Sequence, residues 1–132
     1  MAGREVNLPD VIEKRNILAA RDVAKERLLE LANAYFGRDS LDDAYNFFEK
    51  AGDSAGAEKV KQRAIELGIA AVLYSMQRSQ TTKVRNEDWL AAGENAMKQS
   101  RFAYAAQAFR KAGDVERSEE ALRQIPGRKV EQ

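Results

Sequence analysis

The chain has 132 residues, of which 44% are hydrophobic and 33% are charged, and its 22 Lys and Arg nearly balance 21 Asp and Glu. This length allows one domain with a hydrophobic core of its own, and the near-neutral charge gives no indication of an obligatory nucleic-acid or membrane-surface partner. Cysteine and histidine are absent, so disulfides, thiolate nucleophiles and thiolate or imidazole metal ligands are excluded.

Hydropathy along the chain indicates a cytoplasmic protein. The longest apolar run extends from about Ile69 to Tyr74, far short of the roughly 18 residues of a membrane-spanning helix. The first ten residues lack the apolar centre of a signal peptide. The lack of cysteine also suits a reducing compartment.

Apolar residues recur at helical spacing throughout, which predicts an all-α protein without strands. The first helix is expected to begin near Pro9, since proline suits a first turn. Asp22 is a possible cap of a second helix through Phe36. No Gly or Pro lies between Asp10 and Phe36, so residues 9–36 form either one long helix or two.

Turn residues predict the boundaries that follow. Gly37 is expected to end the helix in the left-handed conformation, with Asp39 or Ser40 capping the next. Further helices are expected over about residues 55–78. The segment 79–86 lacks an apolar face and predicts a loop.

Beyond the loop, two more helices are expected from residue 86, and Ser100 is expected to cap the second of them. A last helix should stop at the sequence IPG, residues 125–127, because proline cannot continue a helix.

One stretch of the chain repeats itself. The sequence FEKAGD begins at Phe48 and returns, sixty-one residues later, as FRKAGD from Phe109. When the two halves are superposed with this shift, large residues meet large ones and small residues meet small ones, as where Leu28 falls on Trp89. The repeat indicates two related helical units, neither of which can bury its apolar face alone.

The spacing resembles that of the tetratricopeptide repeat, W-x2-L-G-x2-Y followed by A-x3-F and a closing alanine. The residues that carry the resemblance are Leu28, Leu31, Ala32, Tyr35, Ala44, Phe48 and Ala51 in the first copy, and Trp89, Ala92, Gly93, Ala96, Ala105, Phe109 and Ala112 in the second. The resemblance implies antiparallel helix-turn-helix repeats over about residues 25–56 and 86–122, with these residues as their core.

The chain also departs from the family pattern. Repeats of that family follow one another every 34 residues or so, whereas these copies are sixty-one apart and lack the closing proline. We therefore expect a single helical-repeat domain over residues 1–132, a tetratricopeptide-like α-α superhelix with an irregular middle segment.

Catalytic chemistry has little support in the residues present. Asp42 and Asp43 are the closest carboxylate pair, but neighbours on a helix point about 100° apart and do not share a proton. No calcium-loop or phosphate-loop motif occurs. We predict a protein that is not an enzyme and uses no cofactor or metal.

The resemblance implies protein recognition instead, along the face lined by the first helix of each repeat. The side of each first helix that turns away from its partner helix defines the candidate groove, consisting of Glu26, Leu29, Asn33, Phe36, Glu87, Leu90, Glu94 and Met97. Its apolar members Leu29, Phe36, Leu90 and Met97 form an apolar strip edged with acids. This strip suits a helical or extended peptide segment that has basic flanks.

The sequence leaves two alternatives to a peptide ligand as the structure that buries the apolar strip. The N-terminal helix over residues 9–21 is one, and a second copy of the chain, giving a homodimer, is another. An RNA-binding repeat is the third alternative to a peptide-binding module, but acids are interleaved with the bases of the second half, so a nucleic-acid partner is not expected.

Overall fold

The computed structural model describes residues 6–127, which form eight α-helices and no strand. The all-α prediction is thereby confirmed for these residues. No helix among them has both the length and the apolar character needed to cross a bilayer. The helices are α1 Val11–Ala19, α2 Lys25–Gly37, α3 Leu41–Ala51, α4 Ser54–Leu67, α5 Ala70–Ser79, α6 Asn86–Lys98, α7 Phe102–Lys111 and α8 Val115–Arg123.

Residues 9–36 form two helices rather than one. The Asp10 side chain caps α1 by accepting a hydrogen bond from the Glu13 backbone N–H at 2.8 Å. The helix ends where Ala20 adopts an extended conformation, with φ −71° and ψ 145°. The N-cap of α2 is Ala24, without a side-chain cap bond, so the prediction of a cap at Asp22 was wrong.

Left-handed residues other than glycine follow α2 and α6, and the prediction of a left-handed Gly37 was wrong. Gly37 lies within α2, and positive φ angles occur at Asp39 (55°) and Ser100 (58°) instead. Each lets the following N–H reach back to a carbonyl of the last turn, from Ser40 to Tyr35 at 3.0 Å and from Arg101 to Ala96 at 2.8 Å. Ser100 thus follows α6 in a left-handed conformation and does not cap α7.

The repeated AGD triplet forms the same turn in both copies. Gly52 (φ 71°) and Gly113 (φ 83°) take the left-handed conformation that glycine adopts without steric cost. The next residue, Asp53 or Asp114, then accepts a hydrogen bond from the N–H three residues on, at 3.0 Å in both copies. This residue therefore caps the following helix.

The chain divides into two compact units, with the boundary between Val60 and Lys61, inside α4. In unit 1, α2 packs against α3, and α1 also contacts α3. The rings of Tyr35 and Phe47 stack with their centroids 5.5 Å apart. The core side chains of α2 and α3 are Leu28, Leu31, Ala32, Tyr35, Leu41, Ala44, Tyr45, Phe47 and Phe48.

In unit 2, α6 and α7 pack together, with α5 against both and α8 against α7. Trp89 is only 1% exposed, and its ring lies 4.9 Å from that of Tyr74. One buried cluster joins α6, α7 and α8, and its members are Ala96, Ala105, Ala106, Phe109 and Ala121.

Candidate protein-binding site

The residues of the tetratricopeptide-like pattern lie at the packed helix faces of their own units. Those that are buried are Leu28, Leu31, Ala32, Tyr35, Ala44, Phe48, Trp89, Ala92, Gly93, Ala96, Ala105 and Phe109. Ala51 and Ala112 are half-buried. Ala44 and Ala105 are fully buried, on second helices that pack against the first helices.

Small residues allow close approach of the phenylalanine rings in each unit. A Cβ atom added to Gly93 would lie 2.8 Å from the Phe109 ring, closer than real packing permits. In unit 1 a Cβ added to Gly56 would overlap the Phe48 ring. These contacts fix the position of each ring within its own unit.

Four candidate-groove residues lie on α2 in unit 1. Leu29 and Phe36 are half-buried, whereas Glu26 and Asn33 are exposed. The Asn33 amide donates to the carbonyl oxygen of Leu29 at 2.9 Å, so part of its hydrogen-bonding capacity is used within its own helix. The Lys59 ammonium lies 4.6 Å from the centre of the Phe36 ring, which places a cation beside this half of the apolar strip.

The other four lie on α6 in unit 2. Glu87 and Glu94 are exposed, whereas Leu90 and Met97 are half-buried and pack against the cluster around Phe109. These two apolar side chains therefore contribute to the core on one side and to the surface on the other. Sequence reasoning had placed them wholly on the side turned away from the partner helix.

Met97 also lines a shallow pocket of about 310 Å³ in unit 2. This pocket, hereafter the Met97 pocket, has apolar lining from Met97 and Phe109. The charged side chains around it are Glu94, Lys98, Arg117 and Glu120. An apolar guest side chain bound there would be surrounded by charges of both signs.

Arg117 is held over the Met97 pocket by several contacts. Its guanidinium carbon lies 4.7 Å from the centre of the Phe109 ring, and its nitrogens reach Asp114 at 2.6 Å and Glu94 at 3.2 Å. The hydrogen bond to Asp114 raises the pKa of Arg117, and the contact with Glu94 adds to this. The Arg117 backbone N–H and then its side chain lower the pKa of Asp114. Nothing in the sequence pattern had singled out Arg117 for this position.

A second pocket, of about 610 Å³, lies in unit 1 and was not predicted. Its lining comes from residues 6–8 and from α2 and the residue that follows it, and consists of Val6, Asn7, Leu8, Glu30, Asn33, Ala34 and Arg38. Asn33 is the candidate-groove residue that it includes. Sequence reasoning missed this pocket because residues 6–8 precede the first helix and carry no periodic pattern.

The N-terminal helix α1 rests on α3 through polar contacts. The Lys14 ammonium pairs with Asp43 at 2.9 Å, and that of Lys50 donates to the Ala20 carbonyl at 2.6 Å. No side chain of α1 is buried, and Val11 and Ile12 are 76% and 62% exposed. These contacts attach α1 to α3 and leave much of its apolar surface uncovered.

No protein-family model, curated protein or solved structure matches this chain. The chemistry of the candidate groove therefore rests on its own residues. Within residues 6–127, no group of three acidic side chains is arranged to hold a metal ion.

Proposed function

We propose that this protein is a non-enzymatic protein-interaction module of the tetratricopeptide type. It binds a helical or extended peptide segment along the first helices of its repeats, α2 and α6. The observation that carries the proposal is the half-buried Met97, which lies beside Phe109 in a pocket with charged side chains around it. Such a pocket has the composition of an anchor site for an apolar side chain.

The ligand is a segment with large apolar residues and basic flanks. Its apolar side chains bury against Met97 and Leu90, at roughly 1.5–3 kcal/mol for each fully buried side chain. Its Lys or Arg residues pair with Glu87 and Glu94. Glu94 is engaged with Arg117, but exposed ion pairs contribute only about 0–1 kcal/mol, so a ligand can replace them at little cost.

The two first-helix faces differ in the charge that lies beside their apolar side chains. Lys59 lies beside Phe36 on unit 1, whereas the corresponding residue of the second copy is Glu120, which lines the Met97 pocket. The unit 1 face therefore suits an acidic or neutral neighbour of the apolar anchor. The unit 2 face has a carboxylate at this position, together with the cations Lys98 and Arg117 around the same pocket.

Selection from a displayed library of random peptides tests this proposal. Peptides retained by the wild-type protein should carry two or more large apolar residues at helical spacing with nearby Lys or Arg. Met97→Glu should lose most of this binding, since it places a charge in the apolar part of the pocket. The matched control is Ala103→Glu, at an exposed position of α7, which should bind as the wild type does.

Circular dichroism of each variant separates lost binding from lost folding. The proposal fails if no peptide is enriched, or if a folded Met97→Glu protein binds the selected peptides as tightly as the control does.

A further inference from the structure

Large apolar side chains are exposed on the first and last helices that the structure describes. Val11 and Ile12 on α1 are 76% and 62% exposed, and Val115 on α8 is 64% exposed. In helical-repeat proteins the outer faces of terminal helices are usually polar, because no further repeat covers them. We therefore expect another protein surface to contact these exposed apolar side chains.

The two helices carry the same pattern with opposite charge. On α1, Val11, Arg15 and Leu18 are spaced i, i+4 and i+7, and on α8 the same spacing joins Val115, Glu119 and Leu122. Residues at this spacing lie along one side of a helix. In both helices the valine and the charged residue are exposed and the leucine is half-buried. Each helix thus presents one short stripe to its surroundings.

The central charge of each stripe has no partner among the described residues. Neighbouring charges on the same helices are paired, Lys14 with Asp43 at 2.9 Å and Glu120 with Arg123 at 3.0 Å. Arg15 and Glu119 are exposed and take part in no ion pair within residues 6–127. They are therefore available to each other in different molecules.

The internal repeat provides a comparison for the apolar part. The sixty-one-residue shift brings Val11 onto Val72 and Ile12 onto Leu73. In unit 2 these residues of α5 are only 3% and 0% exposed. The α1 counterparts are the same kind of side chain at the same positions, but the surface they offer is uncovered.

We propose that α1 of one molecule docks antiparallel on α8 of a second copy of this chain. The antiparallel register pairs Val11 with Leu122, Arg15 with Glu119, and Leu18 with Val115. Because the two surfaces differ, the contact is head-to-tail, and its repetition builds an open chain of molecules or a closed ring. The paired residues belong neither to the apolar strip nor to the lining of the Met97 pocket, although Arg117 and Glu120 of that lining also lie on α8.

The association is weak and depends on salt. The stripes are short, and their one exposed ion pair contributes little by itself. Salt screens such a pair, since the Debye length falls to about 3 Å at 1 M.

Sedimentation velocity of the full chain over a series of protein concentrations tests the assembly. The average mass should rise with concentration at low salt and fall back at high salt. Arg15→Glu and Glu119→Arg should each weaken the association by roughly fivefold or more, because each places like charges together. The combined Arg15→Glu/Glu119→Arg protein should recover the association, since the pair is restored with exchanged charges.

Arg101→Glu is the matched control for Arg15→Glu, because it makes the same change in net charge at another exposed position. It should associate as the wild type does. Circular dichroism checks that each variant is folded. If a charge-reversed variant is unfolded, the neutral variant Arg15→Gln or Glu119→Gln is measured in its place. The proposal is overturned if the wild type stays monomeric at every concentration. It is also overturned if the single charge reversals do not change the association, because the contact then uses another surface such as the apolar strip. A third contradicting result is an Arg15→Glu/Glu119→Arg protein that associates no better than the single variants.

Discussion

At the scale of single residues, each unit packs a phenylalanine ring against a glycine, but the glycine comes from a different helix. Phe109 lies against Gly93 of α6, and Phe48 lies against Gly56 of α4. In the second copy, the residue corresponding to Gly56 is Arg117, whose guanidinium lies over the Phe109 ring. The repeat therefore preserves the ring and varies what surrounds it.

Gly93→Ala tests this packing. Alanine favours a helix interior by about 1 kcal/mol over glycine, but overpacking a core costs typically 1–3 kcal/mol. Because the added Cβ would lie 2.8 Å from the Phe109 ring, we expect a net loss of free energy of unfolding of about 1 kcal/mol, measured by urea denaturation.

Gly37→Ala is the control for Gly93→Ala. Gly37 is also within a helix, has no positive φ, and has no atom within 4 Å of an added Cβ. Although Gly37 is the last residue of α2, alanine restricts the unfolded chain more than glycine does, so this substitution should increase the free energy of unfolding by roughly 0.4–1 kcal/mol. Equal gains at both positions would contradict the close approach of Phe109 to α6.

At the scale of elements, a buried lysine holds the segment before α6. Lys61 is 7% exposed, and its ammonium donates to the Lys83 carbonyl at 3.1 Å and pairs with Asp88 at 3.3 Å. Asp88 also accepts the Arg85 backbone N–H at 2.9 Å. One ammonium group thus connects α4, the loop after α5 and the first turn of α6.

Lys61→Met should reduce the free energy of unfolding by about 1–3 kcal/mol, because it removes the cation beside the part-buried Asp88 carboxylate and the donor to the Lys83 carbonyl. The Lys61→Met/Asp88→Asn protein should lose less than the sum of its two single variants. As a comparison, Arg27 pairs with Glu30 at 3.0 Å with both side chains almost half exposed. Arg27→Met should therefore reduce the free energy of unfolding by less than about 1 kcal/mol. Strictly additive losses of this free energy at positions 61 and 88 would show that Lys61 and Asp88 are not coupled.

At the scale of the whole molecule, the sequence predicted what local spacing determines. Helical periodicity identified the all-α class of the described residues. Local spacing did not predict the conformation at helix ends that are closed by a backbone hydrogen bond. At Asp39 and Ser100 the left-handed conformation lets the next N–H bond back to the preceding helix, and neither position has the glycine that marks this conformation most clearly.

Contacts between segments that are distant in the sequence could not be predicted from local spacing either. Lys61 lies on α4 with nothing to mark it as buried, and Arg117 reaches Phe109 and Glu94 only because α6, α7 and α8 pack together in unit 2. The half-burial of Leu90 and Met97 has the same origin, since they pack against that cluster. Long-range packing therefore decides how much of the candidate groove is surface and how much is core.

Peptide binding to α2 and α6 is tested by amide chemical-shift mapping with a peptide selected from the random library. We predict that the largest shifts occur in α6 around Leu90 and Met97 and in α2 around Leu29 and Phe36. The same titration on Met97→Glu should give much smaller shifts in α6. Shifts confined to α1 and α8, or an unchanged pattern in Met97→Glu, would contradict the assignment of this face as the binding site.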